Sequence, residues 1–206
     1  MELNTENEQT LISKKKTSNA FSVNRKLINS KKFRDKFELL PITQEAKNRV
    51  YQEVGRLLEF VDGSENEYLI ALDYYDGHRI IDNFKREGQP RSTGFTSEEY
   101  EHVLQNDAEI IVVHNHSYNG RPSAKDLITF HDNDRIRLSI VACHNGELYV
   151  IFNVSDDMIS VYNDLLKGEK EIVNDADLAK RLAMTRLYDF NEKISPKRKL
   201  FDVRRL

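Results

Sequence analysis

Tryptophan is absent from this chain, and cysteine occurs once, at Cys143. A single thiol cannot close an internal disulfide, so no covalent staple holds the fold and a reducing compartment is expected. No apolar run approaches the roughly 20 residues that a membrane-spanning helix needs. The N-terminus also lacks the apolar core of a secretory signal. A cytoplasmic location without membrane contact is therefore the expectation. Neither a glycine-rich phosphate loop nor a cysteine cluster for structural zinc is present. Hydrophobic residues are on the low side, at 39% against 32% charged. That mixture suits one domain with a core and polar, partly disordered ends.

The net charge of -3 argues against wholesale nucleic-acid binding, but it is unevenly spread. Residues 1–40 carry nine basic and five acidic groups, and residues 193–206 carry six and one, which leaves residues 41–192 at -12. Basic ends on an acidic body offer contact with nucleic acid or an acidic partner. The plainer reading, solvated ends that aid solubility, is preferred.

Residues 1–20, with the run Lys14-Lys15-Lys16, read as a disordered tail, and residues 21–42 as a basic arm bearing Phe33 and Phe37. Pro41 ends that arm, because the residue before proline is driven out of the helical region. Residues 43–155 form the domain, and 156–206 the C-terminal helices and a basic tail. Within the domain Thr43 caps a helix to about 59, with Val50, Val54, Leu57 and Leu58 on one stripe. Strands follow at 68–72 and 78–83, then a loop over 84–95, then a helix from a Thr96/Glu99 capping box to about 105. A strand over 109–114, a helix over 123–131 and a hairpin (137–143 and 147–153, across Asn145-Gly146) complete it. Helices at 156–166 and 175–193 close the chain. This order predicts an α+β (mixed α/β) fold, a single domain whose central mixed sheet is flanked by helices.

The chemistry concentrates in one window, His114-Asn115-His116 followed by Ser123 and Asp126. In a strand, residues i and i+2 face the same side, so both imidazoles can reach one ion. Asp126, in the first turn of the next helix, can supply a third ligand. Two His and one carboxylate form a usual zinc set that leaves one position for water. The competing reading is structural: Ser123-x-x-Asp126 is also a capping box, which needs no catalysis.

These residues resemble the JAB/JAMM/MPN metal-hydrolase motif, His-x-His-x7-Ser-x2-Asp. The His-Asn-His wording and Pro122-Ser123 are closest to its RadC-like branch and are similar to domains found with phage head-morphogenesis proteins. The resemblance covers roughly residues 44–153. This chain has six residues where the motif has seven, and Ser117 where Pro is common; a tighter turn at Asn119-Gly120 absorbs the deletion. The resemblance implies His114, His116 and Asp126 as ligands to Zn2+, Ser123 as hydrogen-bond donor to an oxyanion, and an upstream Glu as general acid/base. Glu67 fits that last place, with Glu65 as runner-up. The implied activity is zinc-dependent hydrolysis, in which metal-bound water attacks a peptide or isopeptide bond of a protein or peptide substrate. Two alternatives stand beside it: a phage or mobile-element assembly module with a vestigial site, and a metal-dependent HNH-type nuclease that drafts Asn133. Cys143 is expected to pack in a strand, and His144 to be exposed at its turn.

Overall fold

In the computed structural model, which describes residues 19–105 and 108–206, the basic arm is helical. Asn24 caps α1 (Arg25–Ile28) and Ser30 caps α2 (Lys31–Phe37), each accepting from a backbone N–H three residues on. Phe33 and Phe37 lie one turn apart and share a face. Both are fully buried, packed edge-on to each other and against Tyr51 of α3 (Gln44–Val61). Lys36 donates to the carbonyls of Gly146 and Leu206, which ties α2 to the sheet. The arm is thus part of the core. Residues 19–21 form a single 3-10 turn; the rest of the expected tail, with Lys14 to Lys16, lies outside the described residues.

Thr43 caps α3 as expected, and Val50, Val54, Leu57, Leu58 and Val61 are completely buried along it. After it come β1 (Asn66–Glu67), β2 (Leu69–Asp73) and β3 (Arg79–Asp82). Gly77, between β2 and β3, has φ +76°, and a Cβ there would sit 2.9 Å from the Ala46 backbone, so only glycine fits the turn against α3. The stretch 84–95, expected as loop throughout, contains β4 (Gln89–Pro90), which pairs with β1. A two-residue ladder is too short to leave a periodic signature. Thr96 and Glu99 form their reciprocal capping bonds at the head of α4 (Ser97–Gln105).

Next come β5 (Ile110–His116), α5 (Ala124–His131), β6 (Ile136–Cys143) and β7 (Leu148–Val154). They are followed by α6 (Asp157–Ile172), α7 (Ala176–Lys193) and β8 (Phe201–Arg205). The main sheet has the order β3-β2-β5-β6-β7-β8, and only β5–β6 is parallel. The fold class is therefore mixed α+β, as the element order predicts. Residues 201–205 correct one expectation, since the end of the basic tail is an edge strand paired with β7. Phe201 is buried and Val203 half-buried, whereas Arg204 and Arg205 face solvent, and that exposure made the segment read as a tail. No helix among the described residues is long and apolar enough to cross a membrane.

Side-chain alternation divides the sheet's faces. Ile111 and Val113 of β5 pack toward α3 with Ile70, Leu72, Leu138 and Ile140. Ile110 and Val112 join the opposite cluster, and α5, α6 and α7 pack over β7 on that side. Truncating Phe37 removes a ring that joins the arm to α3. Phe37→Ala is expected to lower unfolding free energy by about 3–5 kcal/mol, read from urea denaturation; a change within error would show that the arm is not integral.

Candidate metal centre

The parallel pairing of β5 with β6 needs a helical crossover. The chain must therefore turn back directly after β5 and lay α5 over the sheet. It does so at Asn119, which takes φ +58° and donates its N–H to the His116 carbonyl. This is the tight turn expected beside Gly120. Strand β5 runs two residues further than the expected end at 114, so His114 and His116 keep strand alternation and share the face under α5.

Asp126 is the third helical residue of α5, and its carboxylate closes a capping box. Oδ2 accepts from Ser123 N at 2.6 Å and Ser123 Oγ at 2.8 Å, while Asp126 N donates to Ser123 Oγ at 3.3 Å. The same carboxylate faces the imidazoles: Oδ1 lies 3.2 Å from His114 Nε2 and Oδ2 lies 3.4 Å from His116 Nε2. The two Nε2 atoms are 3.2 Å apart. His116 Nδ1 lies 3.0 Å from the Gly120 carbonyl, so its hydrogen donates there and Nε2 is aimed at the cluster. One ligand atom from each of the three residues lies within 4.8 Å of the others, and the group can hold a metal ion. The capping box of Ser123 and Asp126 is present, and it leaves the Asp126 carboxylate where it could hold an ion together with the two imidazoles.

Burial pushes the Asp126 carboxyl up, but the charges and hydrogen bonds of His114 and His116 override it and hold it well below the usual carboxylate range. Burial likewise pulls the His116 imidazole down, but Asp126, helped by Glu67 and the Gly120 carbonyl, raises it to about 9.

Glu67 lies on the same face as the two His, because alternation along the β1–β2 stretch places it with Leu69, the partner of His114 in the ladder. It is 7% exposed, and its carboxylate makes no hydrogen bond or ion pair among the described residues. Burial raises its pKa; the nearby His116 and His114 oppose that and Asp126 adds to it. Glu65 shares the parity but is exposed, and its carboxylate accepts from Tyr118 Oη at 3.1 Å. Of the two acids, Glu67 is the one brought to the cluster. Beneath His114 a cavity of about 290 Å³, lined by Leu69, Phe95, Val112 and Phe130 among others, continues along β5.

Two functional residues escaped the sequence reading. Asn115, between the ligands and on the opposite face, grips the backbone on both sides of Glu67. Its Oδ1 accepts from Tyr68 N at 2.8 Å and its Nδ2 donates to the Asn66 carbonyl at 3.0 Å. Behind it, 3.3 Å from Nδ2, stands His144 Nε2, whose other ring nitrogen lies 2.7 Å from the Phe21 carbonyl. His144 is 1% exposed, not exposed as its turn position suggests, because residues 21–24 of the arm cover it. Burial lowers its pKa, against the Phe21 carbonyl and Asp62. The His-Asn-His spacing contained the signal for Asn115: the middle residue of the triplet must face away from the two imidazoles. The turn position of His144 gave none.

Other candidates have structural roles. Cys143 is buried in β6, and burial lifts its thiol to about 12, far from a nucleophile's range. The Asn133 amide donates to the Thr129 carbonyl and accepts from Tyr100 Oη, so both of its ends are engaged away from the triad. No protein-family model matches the chain, and no curated protein matches it.

Two measurements follow from this geometry. In protein stripped of metal, the His116 contribution to stability is complete below 6.5 and fades as pH rises through about 9; that of Asp126 is complete above 3.8 and fades as pH falls. A metal must displace the His116 proton anywhere below about 9. Titration calorimetry in buffers of different ionisation enthalpy is expected to show about one proton released per ion near neutral pH; binding without proton release contradicts the arrangement. Asn115→Ala leaves Tyr68 N and the Asn66 carbonyl unsatisfied. It is expected to cost about 1–3 kcal/mol per orphaned group and to speed amide exchange at Tyr68; unchanged exchange would remove the clamp.

Proposed function

We propose that this chain is a zinc-dependent hydrolase of the JAB/RadC-like class that cleaves an amide bond, peptide or isopeptide. The observation that carries the reading is a Glu67 carboxylate, mostly buried and opening onto a polar cleft with Lys125, beside a His-His-Asp triad. The donor set is of the kind zinc takes, two imidazoles and one carboxylate with a position left for water, and one ligand atom from each residue lies within 4.8 Å of the others. Oδ1 of Asp126 makes no bond to Ser123, which leaves it open toward an ion. His114, His116 and Asp126 would hold the zinc, which when bound supplies a Lewis acid and brings water into its ionisable range near neutral pH.

Each protein group then has a defined task. Glu67, with its raised pKa, takes a proton from the attacking water and returns it to the departing amine. Asn115 fixes the backbone that carries it. Ser123, exposed at the head of α5, orients Asp126; with its hydroxyl turned outward it donates to the developing oxyanion.

Wild-type protein purified without chelators is expected to carry stoichiometric zinc, and His116→Ala to lose it, by elemental analysis. Glu67→Gln is expected to keep zinc, with a melting temperature no lower than wild type, while peptidase activity falls about 100- to 10,000-fold. Zinc in wild type with no cleavage of any peptide or isopeptide pool would favour the assembly-module reading; absence of zinc from wild type would end the enzymatic one.

A further inference from the structure

On an acidic body, one concavity is basic. A groove of about 1020 Å³ runs from the turn at Gly120 and the head of α5 across to α7. Arg91, Arg121, Lys125, Lys180 and Arg181 line it, against a single acid, Asp189. Residues 41–192, which contribute all of them, carry a net -12. The local excess is therefore opposite in sign to its surroundings. Arg121 pairs with Glu192 and Lys180 with Asp177, each at 3.2 Å and well exposed, where such pairs contribute little. Arg91, Lys125 and Arg181 form no ion pair among the described residues; Lys125 donates to Ser92 Oγ, and Arg91 lies over the Tyr118 ring. Between the cations the floor is largely apolar, with Pro122, Ile128, Tyr162 and Met184.

The groove reaches the residues that fix the triad. Gly120, whose carbonyl fixes His116, and Ser123, which fixes Asp126, both line it, and Lys125 acts electrostatically on Glu67. We propose that this groove is the docking track for an acidic polypeptide segment rich in apolar residues, the substrate class of the neighbouring site; its catalytic consequence rests on the hydrolase reading above. Basic rim and apolar floor match a chain that alternates carboxylates with apolar side chains. A nucleic acid carries charge at every unit and meets a body of net charge -12 over residues 41–192, whereas a peptide can set its carboxylates against the groove's cations and its apolar side chains on the floor.

The test uses the full chain stripped of metal, so that nothing is cleaved, and fluorescence anisotropy with three probes. These are a Glu/Leu-rich peptide, its Gln-for-Glu counterpart and single-stranded oligothymidylate. The acidic peptide is expected to bind tightest and to weaken with salt. Arg181→Glu and, separately, Arg91→Glu are expected to weaken it about tenfold, with melting temperatures unchanged; Arg181→Ala serves as the milder second variant. Equal binding of the Gln counterpart, no binding, or indifference to these substitutions overturns the proposal, and tighter binding of the oligonucleotide reassigns the groove. Zinc uptake reports the hydrolase reading separately. Acidic-peptide binding without zinc leaves the groove standing, and zinc with peptidase activity but no charge preference removes only the groove.

Discussion

The two oxygens of Asp126 hold the centre of this molecule together. Oδ2 takes both donors of Ser123 and so starts α5; with Oδ1 it also faces the two imidazoles at the end of β5. A helix start and a strand end are thereby locked through one carboxylate. The lock is compatible with only one chain path, because β5 and β6 are parallel and the crossover must place the first turn of α5 over the end of β5. Capping and metal binding do not compete here. The cap fixes the rotamer that ligation needs, and the helix N-terminus favours the ionised form that an ion requires.

The second constraint comes from the other face of the same strand. Alternation sends His114 and His116 toward α5 and must send Asn115 toward α3. Asn115 uses that position to hold Asn66 and Tyr68, the neighbours of Glu67. One triplet therefore positions three ligand and acid groups: two directly, and Glu67 through its backbone. His144 completes the chain of contacts to Phe21, so the arm reaches the acid through three consecutive links.

What the sequence revealed was local, and what it concealed was long-range. His114, His116, Ser123 and Asp126 fall within one short window and obey strand and helix spacing, so their convergence could be argued from periodicity. Glu65 and Glu67 could not be separated that way, since they share parity. The difference arises from Tyr118 capturing Glu65 and from the chain around Glu67 being buried. His144 looks exposed beside Asn145-Gly146, and Gly146 does take a left-handed φ there. It is buried by residues more than a hundred positions earlier in the chain. The terminal strand was hidden by its arginines, because an edge strand shows solvent the same charges as a tail. The basic groove draws its cations from two loops, from α5 and from α7, and no window of sequence contains them together.

Glu67 is the residue that stability alone explains least. A carboxylate that is 7% exposed is costly to keep ionised, and its raised pKa expresses that cost. An apolar or amide side chain at the same place would relieve it. The fold instead surrounds the residue with supports: the β1–β4 pairing, the Asn115 clamp and the packed Tyr68 beside it. An arrangement that invests in holding an unfavourable group still, a few side chains from a metal-competent triad, is more economically explained by proton transfer than by packing. His114, His116 and Asp126 alone satisfy one another through hydrogen bonds and charge, and could be a structural knot. The mostly buried Glu67 beside them is what such a knot does not require.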